Sequence, residues 1–343
     1  AEEAVAVQLQ QLAGASERIL YLEFAELPRA PGIWLRRQLA QAALLLWEKP
    51  FAFGTLSCYQ RPAGSQFHVT EPTLPTGARI GPLRLERTGL WGSFVQYRQE
   101  VGVGLEWQPV EPVAQDLHYS LRLVDAKGRL WGQRDGPLEN DAFHRTSTWP
   151  QGGAQRCQLA VPLVPGIPPG RYEVRLAVYG LQDQAPLPVT GPDGQARGFE
   201  YRLGEVEVIS AAVPPSMADL AIAQTTDLAL GDRLQIIGCT APEGAVESGE
   251  DAELSLYWRC LRPPSERYRL DLRLVRDGAV VAAQRFDPAG PDYPTDRWSP
   301  GEVIRYFYRL AIPASAATGE YALSAGLYTL DGRQVASDVP LPL

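Results

Sequence analysis

The stretches "PPGRYEVRLAVYG" (168–180) and "ATGEYALSAGLYT" (317–329) say nearly the same thing about 150 residues apart. Each starts with a turn ending in Gly-x-Tyr and continues as a run that alternates apolar and polar residues with period two, the pattern of a half-buried strand. Working outward from the pair, the flanking sequence repeats as well. "LEWQPV" (105–110), "YSLRLVDAKGRLWGQRDGP" (119–137), "TSTWPQGG" (146–153) and "QLAVPL" (158–163) precede the first stretch. "LYWRCL" (256–261), "LDLRLVRDGAVVAAQRFDP" (270–288), "TDRWSPGE" (295–302) and "RLAIPA" (309–314) precede the second. Trp107 corresponds to Trp258, Gly128 to Gly278, Gln133 to Gln284 and Trp149 to Trp298. Further on, Pro162 matches Pro313, Gly170 Gly319, Tyr172 Tyr321, and Tyr179 Tyr328, at offsets of 149 to 151.

A period this long signifies duplicated domains; solenoid repeats run to about 20–50 residues. Asp-Gly and neighbouring turn residues supply hairpin connections, and prolines fall between strands, where no ladder N–H is needed. Short strands at regular spacing predict a mainly β chain of two tandem immunoglobulin-like antiparallel β-sandwiches preceded by a small α/β segment. The expected domains are 1–62 for that segment (helix, strand, helix, strand), 67–209 for the first sandwich, a Pro-rich linker at 210–218, and 219–343 for the second sandwich. "IGPLRLERTGLWG" (80–92) and "DRLQIIGCTAP" (232–242) are read as the opening strands of the two copies, and 180–198 as an exposed loop or hairpin inserted in the first. In the first segment a helix is expected from the N-terminus to Gly14, a strand at 18–24, a helix over 31–49 between Pro31 and Pro50, and a strand at 53–61.

Bulk properties agree. The chain has 343 residues, 45% hydrophobic and 21% charged, with 30 Pro, 32 Gly, 14 Tyr and eight Trp. That is globular and turn-rich, and long enough for more than one core. A net charge of −8 disfavours nucleic acid and anionic membrane surfaces as partners. No 18-residue apolar run and no signal-peptide pattern occur; the chain is read as a mature protein or as a piece of a larger one.

Chemistry is sparse. His68, His118 and His144 have no metal-ligand spacing. No nucleophile elbow or phosphate loop is found. Cys58, Cys157, Cys239 and Cys260 form no CxxC and are read as buried thiols, with Cys239 and Cys260 close enough in one repeat to leave a disulfide open. Asp135, Glu139 and Asp141 in one copy, and Asp287, Asp292 and Asp296 in the other, are candidate Ca²⁺ ligands beside the reading as acidic turns; no other cofactor is expected. Trp107, Trp149, Trp258 and Trp298 recur in both copies and are assigned to the cores. Trp91, Trp131, Tyr293 and Tyr306 are the candidates for stacking against a sugar ring.

Residues 272–335 carry a further pattern: Gln284, Tyr293-Pro294-Thr295, Trp298, Pro300-Gly301-Glu302, Pro313, Gly319, Tyr321 and Gly326-Leu327-Tyr328. It resembles the C-terminal extracytoplasmic β-sandwich modules of large bacterial multi-spanning membrane glycosyltransferases, the kind related to lipid-phosphate-sugar-dependent mannosyl- and arabinosyltransferases. "ERILYLEFAELPRAPGIWLRRQL" (17–39) is similar to the short α/β stretch that follows the last membrane helix in that family. The matching motifs are structural, and the family's catalytic acid lies in loops between membrane helices, so no catalytic residue transfers. The first copy has "TSTWPQGG" where the second has "TDRWSPGE", which leaves Glu302 without a counterpart. The resemblance implies a non-catalytic extracytoplasmic module that positions or recognises glycan or cell-envelope material, attached to a membrane through an upstream region. The alternative is a free-standing surface adhesion or assembly protein whose sandwiches act as spacers, and a third reading is a soluble glycan-active enzyme.

Overall fold

The computed structural model describes residues 2–13, 15–24, 29–91, 94–182, 184–241 and 244–342. The chain forms two compact units, Ala1–Val164 with Arg171–Val208, and Pro165–Gly170 with Ile209–Leu343. Among the described residues it is mainly β, with antiparallel ladders and one short parallel pair.

The first unit starts with helix α1 (Glu2–Ala13), strand β1 (Arg18–Phe24), helix α2 (Arg29–Ala42), and strands β2 (Leu44–Phe51) and β3 (Gly54–Gln60). The strands make a three-stranded sheet in the order β1-β3-β2. The helix expected over 31–49 therefore ends at Ala42, and the segment has three strands instead of two. The reason is local: Leu44-Leu45-Leu46-Trp47 is an apolar run that suits either period, and pairing with β3 through the Phe51–Gly54 turn decides for a strand. Gly14, read as the helix stop, lies outside the described residues. This segment does not stand alone. Ala6, Leu39, Ala42, Ala43 and Tyr59 share a buried cluster with Phe67, and Val69 and Trp91 pack against it. Gln10 Oε1 accepts the Phe67 N–H at 3.1 Å, and Arg98 Nη1 donates to the Leu45 and Leu46 carbonyls at 2.5 Å.

The first sandwich follows: β4 (Leu74–Ile80), β5 (Leu83–Trp91), β6 (Phe94–Val95), β7 (Glu100–Pro109), β8 (Leu117–Val124), β9 (Leu130–Pro137), β10 (Gln155–Pro162), β11 (Gly170–Gly180), β12 (Val189–Thr190) and β13 (Tyr201–Val208). Its sheets run β10-β7-β5-β4-β12 and β6-β13-β11-β8-β9. The insertion at 180–198 contributes β12, an edge strand on β4. After the short helix α3 (Met217–Leu220), capped reciprocally by Ser216 and Asp219, the second unit has β14 (Gln224–Leu230), β15 (Leu234–Thr240), β16 (Asp251–Cys260), β17 (Tyr268–Arg276), β18 (Ala279–Phe286), β19 (Val303–Ala311), β20 (Ala322–Thr329) and β21 (Gln334–Pro340). Its sheets run β14-β15-β16-β19 and β18-β17-β20-β21.

The two orders are the same order. β4, β5, β7 and β10 take the places of β14, β15, β16 and β19; β9, β8, β11 and β13 take those of β18, β17, β20 and β21. A 3₁₀ turn sits at the same point in each, Thr146–Thr148 and Thr295–Arg297. Each copy begins one strand earlier than the sequence suggested. β14 is a mostly exposed edge strand, and β4, flanked by β5 and the short β12, is exposed at Leu74, Pro75 and Arg79, so neither shows the full apolar alternation that marks an inner strand.

Most landmarks fall at equivalent positions. Trp107 and Trp258 are fully buried, and Trp149 and Trp298 are buried. Gly128 and Gly278 (φ 77° and 76°) turn the β8–β9 and β17–β18 hairpins, and Gly152 and Gly301 (φ 75° and 76°) follow the paired tryptophans; side chains rarely tolerate such φ values. Two landmarks do not correspond. Arg122 faces Gln133 across its ladder, while its counterpart Arg273 faces Ala283, so Gln284 is one residue out of register with Gln133. Pro162 ends β10, but Pro313 lies beyond the end of β19 at Ala311. In both cases a similar residue one or two steps along the chain imitates a match.

Candidate functional site

Stacking a sugar needs a ring face open to solvent. Trp131, Tyr293 and Tyr306 are buried at 1%, 8% and 8% exposure. Trp131 donates its indole N–H to Asp125 Oδ2 at 3.1 Å and meets Tyr172 edge-on at 6.2 Å. Tyr306 packs edge-on against Tyr308 at 5.4 Å. Tyr293 Oη lies 3.0 Å from both carboxyl oxygens of Glu302 and 3.1 Å from Ser210 Oγ; burial, with the Glu302 charge, pushes the phenol far above its usual range. Trp91 is half-buried against the N-terminal cluster. Its indole N–H donates to His68 Nδ1 at 2.9 Å, and burial lowers the His68 imidazole below its ordinary value. Three of the four are thus buried, and Trp91 packs against the N-terminal cluster with its indole N–H engaged.

Four of the six acidic candidates are held by neighbouring side chains. Glu139 pairs with Arg145 at 2.7 Å, Asp287 with Arg269 at 2.7 Å, and Asp296 with Arg267 at 3.5 Å. Asp135 accepts from Gln133 Nε2 at 2.7 Å. Among the described residues no group of three or more His, Cys, Asp or Glu lies close enough to hold a metal ion. All four cysteines are free and buried. Cys239 faces Leu256, and Cys260 faces Leu234, on adjoining strands, so the two thiols are displaced along the ladder and do not pair.

What the fold brings together instead is the outward face of the β18-β17-β20-β21 sheet. Alternation along β17 turns Leu270, Leu272 and Leu274 inward, leaving Asp271 and Arg273 on the other face. Arg285 of β18 holds Asp271 with two bonds of 2.6 and 3.1 Å. Arg273 donates to Tyr328 Oη at 2.7 Å and forms an ion pair with Asp338 of β21. Both guanidinium groups approach the Tyr328 ring, at 5.6 Å for Arg273 and 5.5 Å for Arg285. A side chain at Gly326 would run into Asp338 Oδ1, so the glycine gives that carboxyl its place.

The first sandwich presents the same positions with different chemistry. Arg122, the counterpart of Arg273, pairs with Glu200 at 2.7 Å. Tyr179, the counterpart of Tyr328, lies beside the His118 ring at 5.7 Å. Arg175 pairs with Glu173 at 2.7 Å, and Gln133 takes the position across from Arg122. Both faces thus carry a tyrosine among fixed donors and acceptors where a buried sheet would carry aliphatic side chains. The signal was in the sequence as the polar half of "LDLRLV" and "YALSAGLYT". Read as repeat landmarks, Tyr179 and Tyr328 gave the architecture but not the face they share with the arginines.

No family model matches the chain, and no curated protein sequence matches it. Among solved structures it is similar to the C-terminal domain of wzt, at 10% identity over 41% of this chain and 81% of that one, with a TM-score of 0.27. It is similar also to chicken MD-1 complexed with lipid IVa (15% identity, 34% of this chain and 96% of that one, TM-score 0.20). A third likeness is to red sea bream transglutaminase (11% identity, 77% of this chain and 32% of that one, TM-score 0.21). At such scores these likenesses carry no argument about function.

Proposed function

We propose that this chain is a non-catalytic, extracytoplasmic module that recognises or positions glycan, as part of a membrane glycosyltransferase-like protein. The observation that carries the reading is the outer face of the β18-β17-β20-β21 sheet of the second sandwich, with Arg273, Arg285 and Asp338 set around Tyr328 and the buried Asp271 holding Arg285. A saccharide offers hydroxyl groups as donors and acceptors and an apolar ring face. Guanidinium and carboxyl groups already held in place lose little freedom on binding it. The resemblance of residues 272–335 to the C-terminal modules of such enzymes supports the same reading.

The test is a glycan array followed by titration calorimetry on the leading hits. Wild-type protein binds an envelope-type glycan, and Arg273→Ala and Tyr328→Ala each weaken binding by about tenfold or more while the melting transition stays within a few degrees. Silence across the array, or binding that both variants leave intact, overturns recognition at this face and favours the spacer reading. Turnover of any glycoside or sugar donor by the isolated chain overturns the non-catalytic assignment.

A further inference from the structure

The three-stranded sheet of the N-terminal segment buries one face and leaves the other bare. Alternation along β1 puts Leu20, Leu22 and Phe24 outward, and Trp47 and Phe51 of β2 join them, with Phe53 in the connecting turn. These six side chains are 39–66% exposed, and an apolar patch of this kind marks an interaction surface. The aromatic rings gather at one end: Phe53 lies 6.1 Å from Phe24 and 5.8 Å from Phe51. Gly54 makes this tip, since a side chain there would collide with the Glu23 carbonyl.

Charge is sorted between the two faces. The charged residues whose strand positions fall on the apolar face are Arg18 and Lys49, both exposed. The acids of the same strands fall on the opposite face, where Glu23 pairs with Arg36, and Glu48 accepts the Ser57 hydroxyl at 2.8 Å. In a chain of net charge −8, an apolar face whose charged positions among the described residues are cations alone is complementary to phosphate and not to a partner of mixed charge. The order along the sheet fits a lipid surface: phenyl rings at the tip, then Lys49 about 7 Å back at the usual rise per residue, beside Trp47 with its Nζ 5.4 Å from the ring. Indole rings prefer the headgroup level, and a lysine there keeps its ammonium among phosphates while its stem stays in apolar surroundings. We infer that the outer face of β1-β3-β2 docks on a phospholipid bilayer, with the tip formed by Phe24, Phe51 and Phe53 entering the interface and Lys49 contacting headgroup phosphate. No helix among the described residues is long and apolar enough to cross a membrane, and this mode of attachment requires none.

The test is flotation of the full chain with vesicles of phosphatidylcholine, and of phosphatidylcholine mixed with phosphatidylglycerol. The protein floats with both. The double variant Phe51→Asp/Phe53→Asp, at exposed positions that keep the fold, loses about tenfold or more of its partitioning. Lys49→Glu loses more on the anionic vesicles than on the neutral ones. Brominated lipid quenches part of the tryptophan emission, and Trp47→Phe removes that part. Absence of flotation with either vesicle, or flotation indifferent to the double variant, overturns the proposal. So does a self-associated species in light scattering that the double variant dissolves, since the face would then be closed by a second copy. Arg273→Ala leaves flotation unchanged, which separates this outcome from that of the glycan experiment.

Discussion

Thr295 Oγ1 accepts the backbone N–H of Tyr268 at 2.8 Å, and in the other sandwich Thr146 Oγ1 accepts that of Leu117, also at 2.8 Å. Both threonines are fully buried at the start of the 3₁₀ turn. Each hydroxyl therefore pins the first residue of a core strand to the turn that leads into the buried tryptophan. Thr295→Val and Thr146→Val keep the volume and leave a buried N–H without its acceptor, at a cost of about 1–3 kcal/mol each. Urea denaturation followed by tryptophan fluorescence measures it. A change below about 0.5 kcal/mol for either variant would show that the bond is not a tie in that sandwich.

The tryptophans beyond those turns are the larger anchors. Trp298 meets Trp258 edge-on at 6.1 Å and donates to the Tyr293 carbonyl at 3.2 Å; Trp149 donates in the same way to the His144 carbonyl at 2.9 Å. Trp298→Ala and Trp149→Ala each cost about 3–5 kcal/mol through lost burial and the cavity left behind. Trp298→Phe keeps part of the packing and costs less. A loss within about 0.5 kcal/mol for Trp298→Ala would place that ring at the surface and reopen a binding role for it.

These anchors explain what was legible in the sequence. Trp107, Trp149 and their partners are rare, large residues whose spacing survives in both copies, so the duplication and its strands could be read directly. The α2–β2 boundary could not, because Leu44–Trp47 satisfies helix and strand periods alike and is decided by pairing with residues up to 60. The buried state of Trp131, Tyr293 and Tyr306 was hidden for a related reason: an aromatic residue carries no mark of whether its hydroxyl or indole N–H finds an internal partner such as Glu302 or Asp125. The face around Tyr328 is assembled from four strands, and only the sheet order brings Asp338 and Arg285 to either side of it.

Asp125 gives the first copy an acid-sensitive turn. Its carboxyl accepts the N–H groups of Lys127 and Arg129 at 2.8 and 3.0 Å, the Arg129 Nε at 2.8 Å and the Trp131 indole at 3.1 Å. Burial opposes ionisation, but these donors and the Arg129 charge outweigh it and hold the carboxyl below its ordinary value. A group whose folded value is depressed adds stability that is present above the unfolded value, about 3.9, and lost as pH falls through the folded one. The stability gap between wild type and Asp125→Asn is therefore full at neutral pH and narrows in acid. A gap that is constant from neutral pH down to about pH 2 would contradict the assignment.

The four thiols are predicted to be unreactive in the folded protein. All are buried. Burial pushes Cys157 well above the usual thiol range, and burial with the Glu302 charge, partly offset by Arg233, pushes Cys260 up to about 11. The thiolate is the nucleophile, so at about pH 8 attack on a disulfide reagent is slow for these two. Without reductant, the native chain releases almost no chromophore from Ellman's reagent and the chain in guanidinium releases four equivalents. Two equivalents in guanidinium would reveal a disulfide and contradict the displacement of Cys239 from Cys260.

Glu302 distinguishes the copies chemically. Its carboxyl accepts the Tyr293 hydroxyl at 3.0 Å and the Ser299 N–H at 2.8 Å, closing the Pro-Gly-Glu turn onto the Tyr-Pro-Thr turn. At the corresponding position the first copy has Gly153; its N–H bonds to the Pro150 carbonyl as the Glu302 N–H does to the Ser299 carbonyl, both at 3.1 Å, but it has no carboxyl to reach the other turn. Glu302→Ala leaves the Ser299 N–H without its acceptor and the Tyr293 phenol with only the Arg297 carbonyl at 3.2 Å and Ser210 Oγ at 3.1 Å, at a cost of about 1–3 kcal/mol. Tyr293→Phe removes the other half of the pair, so the double variant costs less than the sum of the single ones. The coupling falls in the range of about 0.5–3 kcal/mol expected for buried partners in direct contact. Strict additivity in that cycle would mean that Glu302 answers to Ser299 alone, and the tie between the two turns would have to be assigned to packing around Trp298.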